Sequence, residues 1–314
     1  MNRDLNYSKV FDTLVNETKK YLEDHNLQAM VLGISGGIDS TVTAAICFEV
    51  SKRTSIPLIG RSLPIKNKDD EFNVSKLVGE AFCTNFQVCN LDESLLYTKA
   101  LQTIEYFEGE GSISKIANGN IQARLRMIYL YNLASTHNGI VISTDNQTEY
   151  QLGFWTLHGD VGDFNPLFGL WKTEVYALAD WLLQEYSMEH CEHLVRVSKG
   201  EEEPHLPLKV EALKASIALT PTDGLGISNS DLEQIGAKSY SEVDDILQEF
   251  EAFQYLYPKQ LAEMTLKEKA KEFLDNQEML YIEPEVIIKV IDRHIKSEFK
   301  RKNLPICITR DKYE

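Results

Sequence analysis

The stretch Ala-Met-Val-Leu-Gly-Ile-Ser-Gly-Gly-Ile-Asp-Ser, residues 29–40, constrains this chain more than any other segment. The apolar run Ala29–Ile34 reads as a buried strand and breaks at Ser35-Gly36-Gly37, after which a helical pattern begins at Ile38. Gly36 and Gly37 let the backbone approach a ligand closely, and the following helix points unpaired N–H groups and its positive dipole end at that place. Ser35 and Ser40 add hydroxyl donors, and Asp39 adds a carboxylate where a phosphate-bound cation would lie. Such a loop suits a pyrophosphate with a metal ion. It lacks the lysine of the usual nucleotide-binding P-loop and the spacing of a dinucleotide fingerprint.

Further strand-like runs at Ile56–Arg61, Phe86–Leu91 and Gly139–Thr144 alternate with helical patterns near Val42–Ser51, Glu71–Ala81 and Asn120–Ser135. This alternation predicts a parallel sheet with helices on both faces, whose ligands bind beyond the carboxyl ends of the strands. Helices are also expected at Tyr7–Tyr21, Trp171–Glu185, Ser241–Phe253 (with Ser241 as cap) and Glu283–Lys300. The segment Tyr186–Lys209, with its Glu-Glu-Glu-Pro run, reads as a solvated surface excursion on a single catalytic domain spanning 1–314.

A formal net charge of −16 argues against a nucleic-acid substrate, whose phosphates demand lysine and arginine. Five scattered cysteines, with no C-x-x-C pair, fit a reducing cytoplasm. No apolar segment is long enough for a leader or a membrane span. His190, Cys191, His193 and His205 cluster in the excursion, but at no standard zinc spacing.

Downstream polar residues follow the strands. Asn120 and Arg124 share a helix face one turn apart, where they could reach an anionic ligand, while Ile121, Leu125 and Ile128 share another. Thr144 ends a strand, and Glu149 is a second metal ligand to set beside Asp39, since a phosphate-bound magnesium needs only one or two protein carboxylates. Lys172 opens a helix, where the dipole disfavours a cation, so an anionic partner is expected. Asp160 and Asp163, on a Gly-rich loop among aromatics, are acids that could hold ammonium and accept its proton; they could equally hydrogen-bond the loop itself.

The Ser35–Ser40 loop resembles that of the N-type ATP pyrophosphatases, which adenylate an oxygen that a nitrogen or sulfur nucleophile then displaces. Taken in order, Arg61-Ser62-Leu63-Pro64, Gly119–Met127, Thr144-Asp145, Glu149, Gly159-Asp160, Lys172, Pro221-Thr222, Ser239–Asp245 and Lys300-Arg301 resemble the ammonia-dependent NAD synthetases. The resemblance implies a Rossmann-like fold of the adenine nucleotide alpha hydrolase type, and the amidation of deamido-NAD by ammonia with ATP through an acyl-adenylate. It implies that Gly33, Ser35, Gly36, Gly37, Asp39, Ser40, Arg61, Thr144, Lys172 and Thr222 bind ATP, and that Asp39 and Glu149 bind Mg2+. It further implies that Asp39 and Lys172 act in catalysis and that Arg124, His158, Asp160, Asp163 and Lys300 bind deamido-NAD. A homodimer is implied too. The short stretch before Ser35 leaves no room for a glutaminase, so ammonia itself is the expected nitrogen donor. Asn146, Leu157, Leu219 and Phe299 depart from the family pattern, mostly at acceptor positions. An amide ligase for another small carboxylate, or a nucleotide-binding regulator with a degenerate site, are the competing readings.

Overall fold

The computed structural model describes residues 5–91, 95–202, 206–221, 230–261, 264–275 and 281–301. Four parallel strands, β1 (Ala29–Gly33), β2 (Leu58–Ser62), β3 (Asn85–Val88) and β4 (Gly139–Val141), lie in the order β3-β2-β1-β4 among these residues. Helices α1 (Tyr7–Asp24), α2 (Ile38–Thr54), α3 (Asp69–Phe82), α4 (Leu96–Glu108), α5 (Lys115–Thr136), α6 (Gln147–Leu152), α7 (Lys172–Ser198) and α8 (Leu208–Ala218) connect and cover them. Next come α9 (Asp231–Ile235), α10 (Tyr240–Leu256), α11 (Pro258–Leu261), α12 (Leu266–Asp275) and α13 (Pro284–Lys296).

Strand β1 shows why the sheet needs two covers. Met30 and Leu32 join one core with residues of α1, α2, α7 and α8, while Ala29 and Val31 join another with Leu125 and Leu130 of α5. Alternating side chains therefore bury on opposite faces, the pattern of a doubly covered parallel sheet. A third core gathers Val243, Ile246, Leu247 and Phe250 of α10, Phe273 of α12, and Val290 and Ile291 of α13. It also takes Leu152 and Trp171, the residues that end α6 and precede α7, so it packs directly behind the loops at the carboxyl end of the sheet.

Three expectations change in detail. Helix α7 continues through Tyr186–Ser198 instead of giving way to an irregular excursion, and His193 packs there at 4% exposure with its Nδ1 2.6 Å from Glu202. Ser239, not Ser241, caps α10, accepting from Glu242 N. Ile128 is exposed instead of sharing the buried face of Leu125. His205 lies outside the described residues.

His294 of α13 supplies a pH prediction. It is buried against Phe250, donates from Nδ1 to the Gln151 carbonyl at 3.0 Å, and lies beside Arg301. Burial first, then the Arg301 charge, lowers its pKa to about 4. A histidine neutral in the folded state but titrating near 6.5 when unfolded stabilises the fold above that pH, and the contribution is lost as pH falls toward 4. Between pH 7 and pH 4 the wild type should lose about 3 kcal/mol more stability than His294→Gln, in which the neutral donor persists. Urea titrations at the two pH values measure the difference, and equal losses would contradict it.

Candidate active site

The order reversal of the sheet falls between β1 and β4, and in open α/β sheets such a switch point opens a crevice beyond the strand ends. Three helix N-termini converge there. Asp39 lies in the first turn of α2, Glu149 in the first turn of α6, and Lys172 is the first residue of α7. The loop after β1 is held by its own hydroxyls: Gly37 N donates to Ser35 Oγ at 3.2 Å, Ser35 donates to Ser40 Oγ at 2.9 Å, and Ser40 donates to the Gly37 carbonyl at 3.0 Å. Gly36 sits at φ +87°, and a Cβ there would lie 2.7 Å from the backbone nitrogen of Ser75. Gly36→Ala should therefore destabilise the protein by about 2 kcal/mol or more, from positive-φ strain plus backbone overlap. Thermal unfolding of the variant tests this, and an unchanged Tm would refute it.

Lys172, 2% exposed, finds the anionic partner its position demands, twice over. Its Nζ lies 2.5 Å from Asp39 Oδ2 and 2.9 Å from Glu149 Oε1, and 5.5 Å from the centroid of the Tyr240 ring. Burial pulls this ammonium's pKa down, but the two carboxylates hold it well above the ordinary lysine range. Burial and the facing Asp39 charge push Glu149 upward in turn, against the pull of Lys172. Asn146 completes the cluster. Its side chain accepts from Glu149 N at 3.0 Å in a reciprocal capping box and donates to Asp39 Oδ1 at 2.8 Å. In the sequence Asn146 stands out only as a departure from pattern, although Asn-x-x-Glu at a helix start signals the cap.

A second group of expected residues surrounds the loop 154–163. Thr156 Oγ1 donates to Asn120 Oδ1 at 2.9 Å, Arg124 Nη2 donates to the Leu157 carbonyl at 3.1 Å, and Tyr131 donates to Asp163 Oδ1 at 2.7 Å. One face of α5 thus fastens this loop, and Asp160 accepts from the loop's own Thr156 N at 2.7 Å. The exposed His158 sits at φ +53° beside Gly159. Asp145, next to Thr144, is pushed up to about 7 by burial and by the charges of Asp160 and Asp39. Lys300 donates to the carbonyls of Gly153 (2.6 Å) and Trp155, closing the C-terminal end of α6. Arg61, 5% exposed in β2, donates from Nη1 to the carbonyls of Gly60 and Asn85. Gly33 ends β1, and Thr144 follows β4 half-buried. Thr222 lies outside the described residues.

Asp39 and Glu149 together present hard carboxylate oxygens on both sides of Lys172, a donor set that fits a magnesium ion retaining water and phosphate ligands. Positive helix ends, backbone N–H groups and one buried ammonium complete a surface suited to a polyphosphate.

The NAD synthase family model matches residues 10–304. The chain belongs to the NAD synthase family. A relative from Thermoplasma volcanium, named NH(3)-dependent NAD(+) synthetase, is 28% identical over 307 residues, covering 97% of this chain and 99% of that one. One of the same name from Finegoldia magna is 34% identical over 176 residues, covering 56% of this chain and 69% of its own. The solved structure of an NMN synthetase from Francisella tularensis superposes with a TM-score of 0.69 at 23% identity, over 98% of this chain and all of that one. The α/β fold, with its parallel sheet between helices, is the adenine nucleotide alpha hydrolase type of NAD synthases. No helix among the described residues is long and apolar enough to cross a membrane.

Proposed function

We propose that the chain amidates deamido-NAD with ammonia and ATP, yielding NAD, AMP and pyrophosphate. The observation that carries this is the Asp39–Lys172–Glu149 cluster at the β1/β4 switch point of an NAD synthase fold. The nicotinate carboxylate attacks the α-phosphorus of ATP and pyrophosphate leaves. Ammonia then adds to the acyl carbon of the adenylate, loses a proton, and expels AMP. Lys172 neutralises charge on the phosphates, the Ser35–Ser40 loop orients the leaving pyrophosphate, and Asp39 with Glu149 holds Mg2+. When bound, that ion supplies charge neutralisation between two anionic reactants.

Arg124, His158, Asp160, Asp163 and Lys300 border the acceptor. Arg124 fastens the loop that faces it, so Arg124→Ala should raise the KM for deamido-NAD far more than it lowers kcat. A change confined to the ATP parameters would remove Arg124 from the acceptor side. Asp160 and Asp163 are the acids that receive the proton of ammonium in this reading, each with one oxygen already accepting within the site, from Thr156 N and from Tyr131. The free thiols of Cys47, Cys83, Cys89 and Cys191 support a cytoplasmic, reducing setting, and the family resemblance supports a homodimer.

The test is turnover of the purified chain with ATP and Mg2+, following AMP. Deamido-NAD with ammonium salt should be amidated, and glutamine should not replace ammonium. Preferential amidation of nicotinate mononucleotide, the acceptor that the name of the Francisella tularensis neighbour suggests, would overturn the dinucleotide assignment.

A further inference from the structure

Asp244 lies in the first turns of α10, in the helical layer behind the cluster, and is 1% exposed. Its Oδ1 accepts from Thr148 Oγ1 at 2.5 Å, and its Oδ2 accepts from both Thr173 N (2.9 Å) and Thr173 Oγ1 (2.8 Å). Thr148 Oγ1 in turn accepts from Lys172 N at 2.9 Å. One buried carboxylate therefore grips the residue next to Glu149 and the residue next to Lys172. Two N–H groups that open α7 and lack helical partners are satisfied, one by Asp244 directly and one through Thr148. The donors all run toward the carboxylate: a threonine hydroxyl gives its proton to Asp244 and is left free to receive from Lys172 N. Helix α6, helix α7 and the α10 core meet at this one side chain, and no part of it touches Asp39, Glu149 or the Lys172 ammonium.

We propose that Asp244 is a positioning residue of the adenylation step, acting through Thr148 and Thr173 to fix the Lys172 ammonium against Asp39 and Glu149. This rests on the reading of Lys172 as the phosphate-contacting group. A lysine with a long flexible stem makes a useful phosphate contact only if its backbone is fixed, and displacements near 1 Å cost on the order of a hundredfold in rate. Asn at position 244 keeps the volume but reverses one donor. Its amide N–H2 would meet Thr148 Oγ1, which already receives from Lys172 N, and the threonine proton would lose its acceptor.

Asp244→Asn, Lys172→Met and the double variant decide the matter, each followed by kcat, KM for ATP and thermal unfolding. Asp244→Asn should lower kcat about 10- to 100-fold, with a much smaller change in KM for ATP and a cooperative unfolding transition. Added to Lys172→Met it should cost little more, because both changes disable one unit. A residue that served the fold alone would lower Tm and leave kcat per folded molecule unchanged, whereas one that acted on turnover independently of Lys172 would multiply with Lys172→Met. Either of the latter two results overturns the proposal. Should Asp244→Asn fail to fold, Thr173→Val removes one donor while keeping the shape, and must itself lower kcat severalfold; wild-type kcat in that folded variant overturns the proposal. Lys172→Met with normal turnover would refute the reading of Lys172, and the role of Asp244 with it, a failure recognisable from the single variant.

Discussion

Asp39→Ala should lower kcat on the order of 10² or more while leaving the protein folded. The Asp39 side chain accepts from Asn146 at 2.8 Å and from Lys172 at 2.5 Å. It also lies in the first turn of α2, so it faces the phosphate loop directly. In the proposed mechanism, removing it takes away a Mg2+ ligand and leaves Lys172 with Glu149 alone. The fold tolerates the loss, because Glu149 still satisfies the ammonium at 2.9 Å. Glu149→Ala should lose activity on the same scale, for the same charge reason. Steady-state kinetics with circular dichroism as a folding check measure both, and near-normal turnover in folded Asp39→Ala would remove the metal assignment.

Lys172→Met should have the other large effect, on stability as well as rate. The ammonium separates two carboxylates, and its removal leaves Asp39 and Glu149 facing each other in a poorly solvated place. Breaking a buried pair from one side costs about 3–5 kcal/mol, because uncompensated charge remains. Turnover should fall on the order of 10² or more, as for other transition-state charge contacts. Millimolar Mg2+ should restore part of the lost stability, since two unopposed carboxylates bind a hard cation that the unfolded chain does not gather. Thermal melts with and without Mg2+ read this out independently of activity. A variant whose Tm ignores Mg2+ would argue that the two carboxylates do not serve a cation.

The parts legible in the sequence are local ones. Ser35-Gly36-Gly37 announces itself because glycine geometry, hydroxyl donors and a following helix are neighbours in the chain, and the structure builds the loop from those same contacts. The anionic partner for Lys172 is foreseeable from the dipole at a helix start, although which acids answer is not. What escapes the sequence is contact at long range. Asn146 reaches Asp39 across 107 positions and Asp244 reaches Thr148 across 96, and neither separation leaves a mark on local pattern. The α10 cap shifts from its expected place for the same reason. Ser239 and Ser241 each have an acid three residues on, but Asp244 is drawn away to Thr148 and Thr173, leaving Ser239 with Glu242 to start the helix. The length of α7 escapes because its far end is largely exposed, with Met188, Leu194 and Val195 on the surface, so no apolar face advertises it. Asn120 and Arg124 do share one face, yet they bind the loop 154–163, so their reach toward a ligand passes through that loop.

The most direct test of this site as an adenylating centre is isotope transfer. Deamido-NAD labelled with 18O in its nicotinate carboxylate is turned over with ATP, Mg2+ and ammonium, and the AMP is analysed by mass spectrometry. If the carboxylate attacks the α-phosphorus and ammonia later cleaves the acyl–oxygen bond, each AMP carries one labelled oxygen from the acceptor. AMP free of label, formed at the rate of NAD, would contradict an acyl-adenylate and, with it, the adenylating roles of Asp39, Glu149 and Lys172.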